Sequence, residues 1–395
     1  MSPTRLLLFL AFFVGLFNVG LYATQDFGIQ QDWTQKEYIE NKGFRSVDIS
    51  NNHACGIGEL GGVWCWGEGR AGQLGHGLFL SSKNPVPVLK LPAPALDLSA
   101  SANGTCAILI NYQTWCWGRN DYGQLDLPLT QKASAFPVRV SAPKAHTVAR
   151  TNTGVCLGLI EKGVYCWGEQ WSQDDDGRVF MTIPPNQILL AQDLEFLDIS
   201  AGNSHFCGVT HDGLGWCWGR AIYGQAGLED PDRLRGHVVN KPLKISSNPI
   251  LSLATSATAT CFVDTDKTEW CMGGLHESIE AQTPEAFSPK AQGTVDSGEI
   301  ALGRYMKCHI EQGEPICQRA DQIYQPALSP NSLPVEKIVA SGDNVCALDI
   351  DRSAWCSSIQ EELFHIAPMR PSTWIPDNSL ATRWGRVVAY WAKST

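Results

Sequence analysis

Residues 205–219 read HFCGVTHDGLGWCWG, and their layout decides the fold. Cys207 and Cys217 stand ten residues apart. Asp212-Gly213 between them is a turn signal, and apolar or aromatic residues flank it on both sides, as in a β-hairpin. In an antiparallel hairpin centred on that turn the two cysteines stand opposite each other. Opposed residues of a non-hydrogen-bonded pair have Cα atoms about 4.5 Å apart, inside the roughly 4.4–6.8 Å that a disulfide spans.

The same spacing recurs along the chain. Its 14 cysteines fall into seven pairs: Cys55/Cys65, Cys106/Cys116, Cys156/Cys166, Cys207/Cys217, Cys261/Cys271, Cys308/Cys317 and Cys346/Cys356. Six pairs are ten residues apart and one is nine, and the nine-residue pair keeps the opposition if its turn is one residue shorter. Eight residues before each first cysteine stands an aliphatic residue: Val47, Leu98, Val148, Ile199, Leu253, Ile300 or Ile338. Immediately before each second cysteine stands Trp64, Trp115, Tyr165, Trp216, Trp270, Ile316 or Trp355. Three registers agreeing in seven copies mark an internal repeat. Turn residues such as Glu59–Gly62, Glu161–Gly163 and Gln312–Gly313 place a hairpin in each copy.

Seven within-hairpin disulfides are the simplest connectivity, although spacing alone does not fix pairing. The competing reading is metal. A structural zinc site needs about four converging ligands, whereas each hairpin supplies two thiols and the next two belong to another copy. His53 and His205 precede a cysteine by two residues, but the other five copies lack this histidine. Neither a metal nor any other cofactor is expected.

Arg5 is followed by an apolar stretch from Leu6 to Ala23, broken only by Asn18. A cleaved secretory signal and an uncleaved signal anchor both fit residues 1–23, and either exports the remainder. Residues 24–43 then read as a linker, and 44–395 as the repeat body with a closing or packing segment over 357–395. Export into an oxidising compartment agrees with disulfides. The net charge of −10 and the lack of a basic run argue against a nucleic-acid partner. A membrane enters only through a retained N-terminal anchor.

Four copies carry Cys-Trp-Gly: Cys65–Gly67, Cys116–Gly118, Cys166–Gly168 and Cys217–Gly219. Three continue into a glycine-glutamine segment: Gly72-Gln73-Leu74-Gly75, Gly123-Gln124-Leu125-Asp126 and Gly224-Gln225-Ala226-Gly227. With the His-x-Cys entries at His53 and His205, this resembles the repeat of the regulator-of-chromosome-condensation (RCC1-like) family over roughly residues 44–356. The resemblance is specific in copies one, two and four. Copy three loses the glycine-glutamine segment, and in copies five to seven Met272, Gln318 and Ser357 replace the tryptophan. It implies an all-β, seven-bladed β-propeller of four-stranded antiparallel blades, here with one disulfide per blade. The founding member's exchange-factor activity is not carried over, since no exchange-factor residues map onto this chain. The Gly-Trp-Arg-His-Thr motif of plant ultraviolet photoreceptors is absent.

Function is expected to be binding of an extracytoplasmic protein, with glycan binding as the alternative. Enzymes are disfavoured: there is no Gly-x-Ser-x-Gly elbow, no His-Glu-x-x-His and no phosphate-cradling loop. Arg, Tyr and Trp dominate interface energetics, so the candidate contact residues are Arg70, Arg119, Tyr122, Trp171, Arg220 and Tyr223, all beyond Cys-Trp-Gly turns. Trp171 lies outside the repeat pattern and is the best candidate to stack on a sugar. The neighbouring Asp174, Asp175 and Asp176 lack calcium-loop spacing.

Overall fold

The computed structural model describes residues 43–173, 179–182, 188–227, 238–274, 288–304, 306–319, 322–324 and 333–358. Each repeat forms one antiparallel sheet whose strands pair in chain order. The first blade is β1 (Phe44–Ile49), β2 (His53–Gly58), β3 (Val63–Gly67) and β4 (Ser82–Pro87), and the second is β5 (Ala95–Ser101), β6 (Gly104–Leu109), β7 (Thr114–Arg119) and β8 (Ala133–Arg139). The third comprises β9 (Ala145–Arg150), β10 (Gly154–Leu159), β11 (Val164–Gly168) and β14 (Ile188–Leu190), with an inserted hairpin of β12 (Gln170–Gln173) and β13 (Val179–Thr182) before its last strand.

The fourth blade is β15 (Phe196–Ala201), β16 (His205–Thr210), β17 (Gly215–Arg220) and β18 (Val238–Lys244), and the fifth is β19 (Ile250–Thr255), β20 (Ala259–Asp264), β21 (Thr268–Gly273) and β22 (Lys290–Thr294). The sixth is β23 (Ile300–Leu302), β24 (Lys307–Glu311), β25 (Glu314–Arg319) and β26 (Gln322–Tyr324). The seventh has three described strands, β27 (Val335–Ser341), β28 (Asn344–Asp349) and β29 (Ala354–Ser358).

In every blade the paired cysteines face each other across the second and third strands, including Cys308 and Cys317, whose hairpin turns on only Gln312 and Gly313. The disulfides are Cys55–Cys65, Cys106–Cys116, Cys156–Cys166, Cys207–Cys217, Cys261–Cys271, Cys308–Cys317 and Cys346–Cys356, with Cα atoms 4.0–4.2 Å apart. The protein is therefore a seven-bladed β-propeller with one within-hairpin disulfide per blade.

In the seventh blade β29 runs two residues past Cys356, because Ser357 pairs with Val345 and Ser358 with Asn344. Residues 357 and 358 therefore belong to the blade's own hairpin, whose ladder extends as far beyond the disulfide as β28 provides partners. Cys356, on the outermost described strand of this sheet, is 7% exposed, whereas Cys346 on the strand inside it is 2% exposed.

The second strands lie in the middle of their sheets with a neighbouring blade on each side. Burial is consequently continuous along β2, β6, β10 and β20 rather than alternating. The recurring aliphatic position falls on each innermost strand, where Val47, Leu98, Val148, Ile199, Ile300 and Ile338 are buried and Leu253 packs against the core. The seventh blade meets the first directly: the amide of Phe44 donates to the Arg352 carbonyl at 2.8 Å, and Asn344 Nδ2 donates to the Asn51 carbonyl at 2.9 Å. The expected signal or anchor, its linker up to residue 42 and residues 359–395 of the closing segment lie outside the described residues.

Candidate protein-binding face

Strand direction gives the ring two faces. The innermost strands end, and the long loops between third and fourth strands emerge, on one face, here the loop face. The hairpin turns between second and third strands and the links between blades occupy the other, the turn face. The innermost strands enclose a central channel of about 1020 Å³ that runs between them.

The family motif builds the loop face. In the glycine-glutamine segments the glutamine side-chain carbonyl accepts an N–H from two residues earlier: Ala71 to Gln73, Tyr122 to Gln124 and Tyr223 to Gln225, each at 2.9 Å. This closes the loop and turns the glutamine main-chain carbonyl toward the next blade. There the Cys-Trp-Gly tryptophan meets it: Trp117 Nε1 donates to Gln73 O at 2.8 Å, and Trp167 Nε1 to Gln124 O at 3.0 Å. Gly75 lies under the Trp117 indole with φ 66°, where a Cβ would sit 2.9 Å from Nε1, so close approach favours glycine there; Asp126 takes the equivalent position of the second blade with φ 55°. In the fifth blade Met272 replaces the tryptophan, and the Thr260 hydroxyl donates to Gln225 O instead at 2.6 Å. The third blade lacks the glutamine segment. Correspondingly, Trp218 Nε1 in the fourth has no acceptor among the described residues.

Histidine in His-x-Cys completes two of these junctions. His53 Nε2 lies 2.9 Å from Thr105 Oγ1, and His205 Nε2 lies 2.9 Å from Thr260 Oγ1. Each threonine hydroxyl gives its one proton to the glutamine carbonyl, so the imidazole must donate from Nε2. Burial pushes both imidazoles down to about 3, with the Arg150 charge adding to the effect at His53. Where the second blade has Gly104 in place of histidine, Arg150 of the third fills the space: Nε donates to Ser101 Oγ at 3.0 Å and Nη2 to the Arg119 carbonyl at 3.1 Å. Between the fifth and sixth blades a partly buried ion pair joins Lys307 to Glu269 at 2.7 Å. Among the described residues the cluster Cys261, Glu269 and Cys271 has metal-ligand proximity, but its sulfurs form a disulfide and its carboxylate holds Lys307.

All the sequence candidates fall on this loop-face side. Arg70 is exposed on the loop between β3 and β4. Arg119 is exposed at the end of β7 and pairs with Asp121 at 2.9 Å. Tyr122 is half-buried in the same loop as Asp121. Arg220 and Tyr223, also half-buried, line the channel mouth with Ile222, apart from the Arg70 loop. Trp171 lies on β12, paired with Met181, and β12 runs close to β17 and β18 of the fourth blade.

Two residues that sequence reading missed stand beside Arg70. Phe79 and Leu80 are 50% and 60% exposed, on a loop that is otherwise tied down. Gly69 N donates to Ser81 Oγ at 3.1 Å, and Gly69 packs so closely against the Leu80 carbonyl that a Cβ would collide with it. Gly77 N donates to Ala135 O of the next blade at 2.9 Å. A three-residue apolar run, Leu78–Leu80, looks like a strand in sequence, and only the fold reveals it as a loop tip. The adjacent blade's loop is held by buried Asn120, whose Nδ2 donates to the carbonyls of Leu127 and Gln131 at 3.1 and 2.9 Å; it exposes Leu129.

The tryptophans of the repeat positions are largely spent on packing. Trp66, Trp117, Trp167 and Trp218 are at most 3% exposed. Trp270 and Trp355 donate to Asp264 and Asp349 in their own hairpins at 2.9 and 2.8 Å. Deeper in the channel the carboxylates of Asp48 and Asp97 accept the amides of Ala100 and Val148 in the next blade, each at 2.8 Å. Burial pushes Asp48 up to about 6. Burial, then the neighbouring Asp198 charge, pushes Asp97 up to about 7.

Seven disulfide-closed blades around an open channel, latched by Cys-Trp-Gly and glycine-glutamine elements, define a repeat propeller. The model of the regulator of chromosome condensation (RCC1) repeat matches residues 61–108, from the first-blade hairpin to the second strand of the second blade. The human RCC1 domain-containing protein 1 is 29% identical over 212 residues, 51% of this chain and 53% of that protein. The ultraviolet-B receptor UVR8 of Arabidopsis thaliana is 27% identical over 231 residues, 55% of this chain and 50% of that protein. The chain thus spans about half the length of these curated relatives. Among solved structures, human WBSCR16 superposes with a TM-score of 0.64 at 15% identity, covering 78% of this chain and 94% of that one. Prp20p of Saccharomyces cerevisiae does so with 0.52 at 19%, covering 86% and 77%. These matches support an RCC1-like repeat family for the chain.

Proposed function

We propose that the protein is an exported, non-catalytic scaffold that binds another extracytoplasmic protein through its loop face. The observation that carries this reading is the tip formed by Phe79 and Leu80 beside Arg70. A loop fixed by backbone hydrogen bonds presents two large apolar side chains and an arginine to solvent. Rigid loops bearing aromatic, aliphatic and arginine anchors are what protein interfaces use, because little side-chain or loop entropy is lost on docking. The channel mouth, with Arg220, Ile222, Tyr223 and Arg304, adds a second set of contacts on the same side. Prp20p, of the same fold, is described by its binding to Gsp1p and histones, which supports protein recognition as a use of this architecture. Seven disulfides support an oxidising compartment.

The test is capture. The oxidised protein is immobilised, exposed to a native extracytoplasmic extract of the source organism, and eluted first with free sugars and then with denaturant. One or a few proteins released only by denaturant, and lost with Phe79→Ser/Leu80→Ser, support the proposal. Release by sugar overturns it in favour of a lectin.

A further inference from the structure

The residue before the recurring aliphatic position alternates in kind around the ring: Ser46, Asp97, Thr147, Asp198, Ser252, Glu299 and, where an odd number of blades breaks the alternation, Lys337. Six of the seven line the channel, and Thr147 is buried in its wall. From the second blade to the fourth this row becomes a connected set. β9 lies between β5 and β15. The Thr147 hydroxyl on β9 donates to Asp198 Oδ1 on β15 at 3.1 Å, and the Asp97 carboxyl on β5 stands beside the same hydroxyl. Asp97 Oδ2 already accepts the Val148 amide at 2.8 Å.

A hydroxyl has one proton to give. With that proton directed at Asp198, an ionised Asp97 meets only lone pairs on Thr147 Oγ1, whereas the acid form donates to them from Oδ1. Among the described residues no cation on the strands packed against β5 takes the proton's place. On β1, Arg45 donates to the Ala95 and Leu96 carbonyls, and Asp48 accepts the Ala100 amide. On β2, His53 is bonded to Thr105, and β6 carries no ionisable side chain outside its disulfide. On β9, His146 meets the Phe196 carbonyl and Arg150 lies at Gly104. The lysine of the row, Lys337, bears on Asp48 and Glu299. Burial, and then the Asp198 charge, favour the proton on Asp97.

We propose that the second, third and fourth blades hold one proton in common, in the chain Asp97–Thr147–Asp198, and that this chain is a pH-sensitive latch in the channel wall. While the proton is in place, side chains bond each of these blades to the next. Once it leaves, two carboxylates flank one hydroxyl and repel each other. The folded chain keeps this proton to about pH 7, above the ordinary carboxylate value of 3.8, so the latch is closed in acidic medium and opens as pH rises through about 7. β9 also carries Arg150, whose Nη2 donates to the Arg119 carbonyl on the loop face. The strand that the latch grips therefore also positions that loop. The inference requires no partner on the loop face.

Difference infrared spectroscopy of the full disulfide-intact chain reads the proton directly, as a carboxylic-acid carbonyl band present in the wild type and absent from Asp97→Asn. The band is expected below pH 7 and should fade as pH rises through about 7. Each further variant is compared with the same protein carrying Asp97→Asn. Thr147→Val removes the acceptor of the Asp97 proton and should lower the proton affinity at least about threefold. Thr147→Ser keeps the hydroxyl and should stay within about twofold of the wild type. Asp198→Asn removes the facing charge while its carboxamide oxygen still accepts the hydroxyl, and should also lower the affinity at least about threefold. No band that disappears with Asp97→Asn, or an affinity unchanged or raised in Thr147→Val or Asp198→Asn, overturns the inference.

Discussion

The imidazole of His53 and the hydroxyl of Thr105, 52 positions apart in sequence, lie 2.9 Å from each other across the boundary between the first and second blades. The pairing repeats between His205 and Thr260 at the boundary of the fourth and fifth. Among the seven blade boundaries only these two have histidine two residues before a first cysteine and threonine one residue before the next. Both buried hydroxyls then feed a glutamine carbonyl. Replacing either threonine by valine leaves a buried imidazole N–H and a carbonyl without that partner. Thr105→Val and Thr260→Val should each cost about 1–3 kcal/mol in denaturant unfolding.

Acid should weaken these junctions. Each histidine has a folded pKa near 3, below its ordinary value of 6.5. Between those values the unfolded chain takes up a proton that the folded chain refuses. The stability contributed is therefore complete above pH 6.5 and is lost as pH falls toward 3. His53→Gln and His205→Gln should each flatten the fall in unfolding midpoint over that window.

Asp97 acts in the opposite sense. Its folded pKa, near 7, lies above the ordinary 3.8, so the folded chain holds a proton there that the unfolded chain releases. Its effect on stability is most favourable below pH 3.8 and worsens as pH rises to 7. The carboxamide oxygen of an Asp97→Asn variant can still accept the Val148 amide. That substitution should therefore raise stability at about pH 8 and remove the decline. Chemical denaturation across pH in the two proteins measures it.

Trp117 and Trp218 occupy the same position in their repeats and are both buried, but among the described residues only Trp117 of the two has a carbonyl to meet. Trp117→Phe should cost about 1 kcal/mol more than Trp218→Phe, the difference being one hydrogen bond. Denaturant unfolding of the two variants side by side checks it.

A methyl group on Gly104 would run into the Arg150 guanidinium. Gly104→Ala should destabilise the fold by more than about 2 kcal/mol. In the double variant with Arg150→Met, part of that loss should return, a non-additivity that a double-mutant cycle detects.

Much of the architecture was legible because each hairpin is local. Cys207 and Cys217 oppose one another through a turn that lies between them, and seven such pairs count the blades. The end of the last blade was less legible: a cysteine spacing marks Cys356 but not how far its strand continues, which the partners offered by β28 decide. The function of the motif was not legible in the same way. Gln73 finds Trp117 44 residues away in another blade, and Arg150 fills a space created by the absence of a side chain at Gly104. No periodicity within one repeat records such contacts. Arg70 was identified from residue type, but its neighbours Phe79 and Leu80 were not, since apolar residues ordinarily announce a core. Their exposure follows from the pinch at Gly69 and Ser81, which the chain makes only when folded.

That the loop face holds a protein partner is tested most directly by the affinity of the captured partner for the wild type, Phe79→Ser/Leu80→Ser and Ile160→Ser. Thermal unfolding of each is recorded alongside. Truncating interface anchors commonly costs about 2 kcal/mol or more, so the loop-tip variant should lose at least about 30-fold in affinity. Its unfolding temperature should stay within about 2 °C of wild type, as for other exposed positions. Ile160→Ser, on the turn face, should bind this partner as the wild type does. Undiminished affinity in the loop-tip variant would contradict the account.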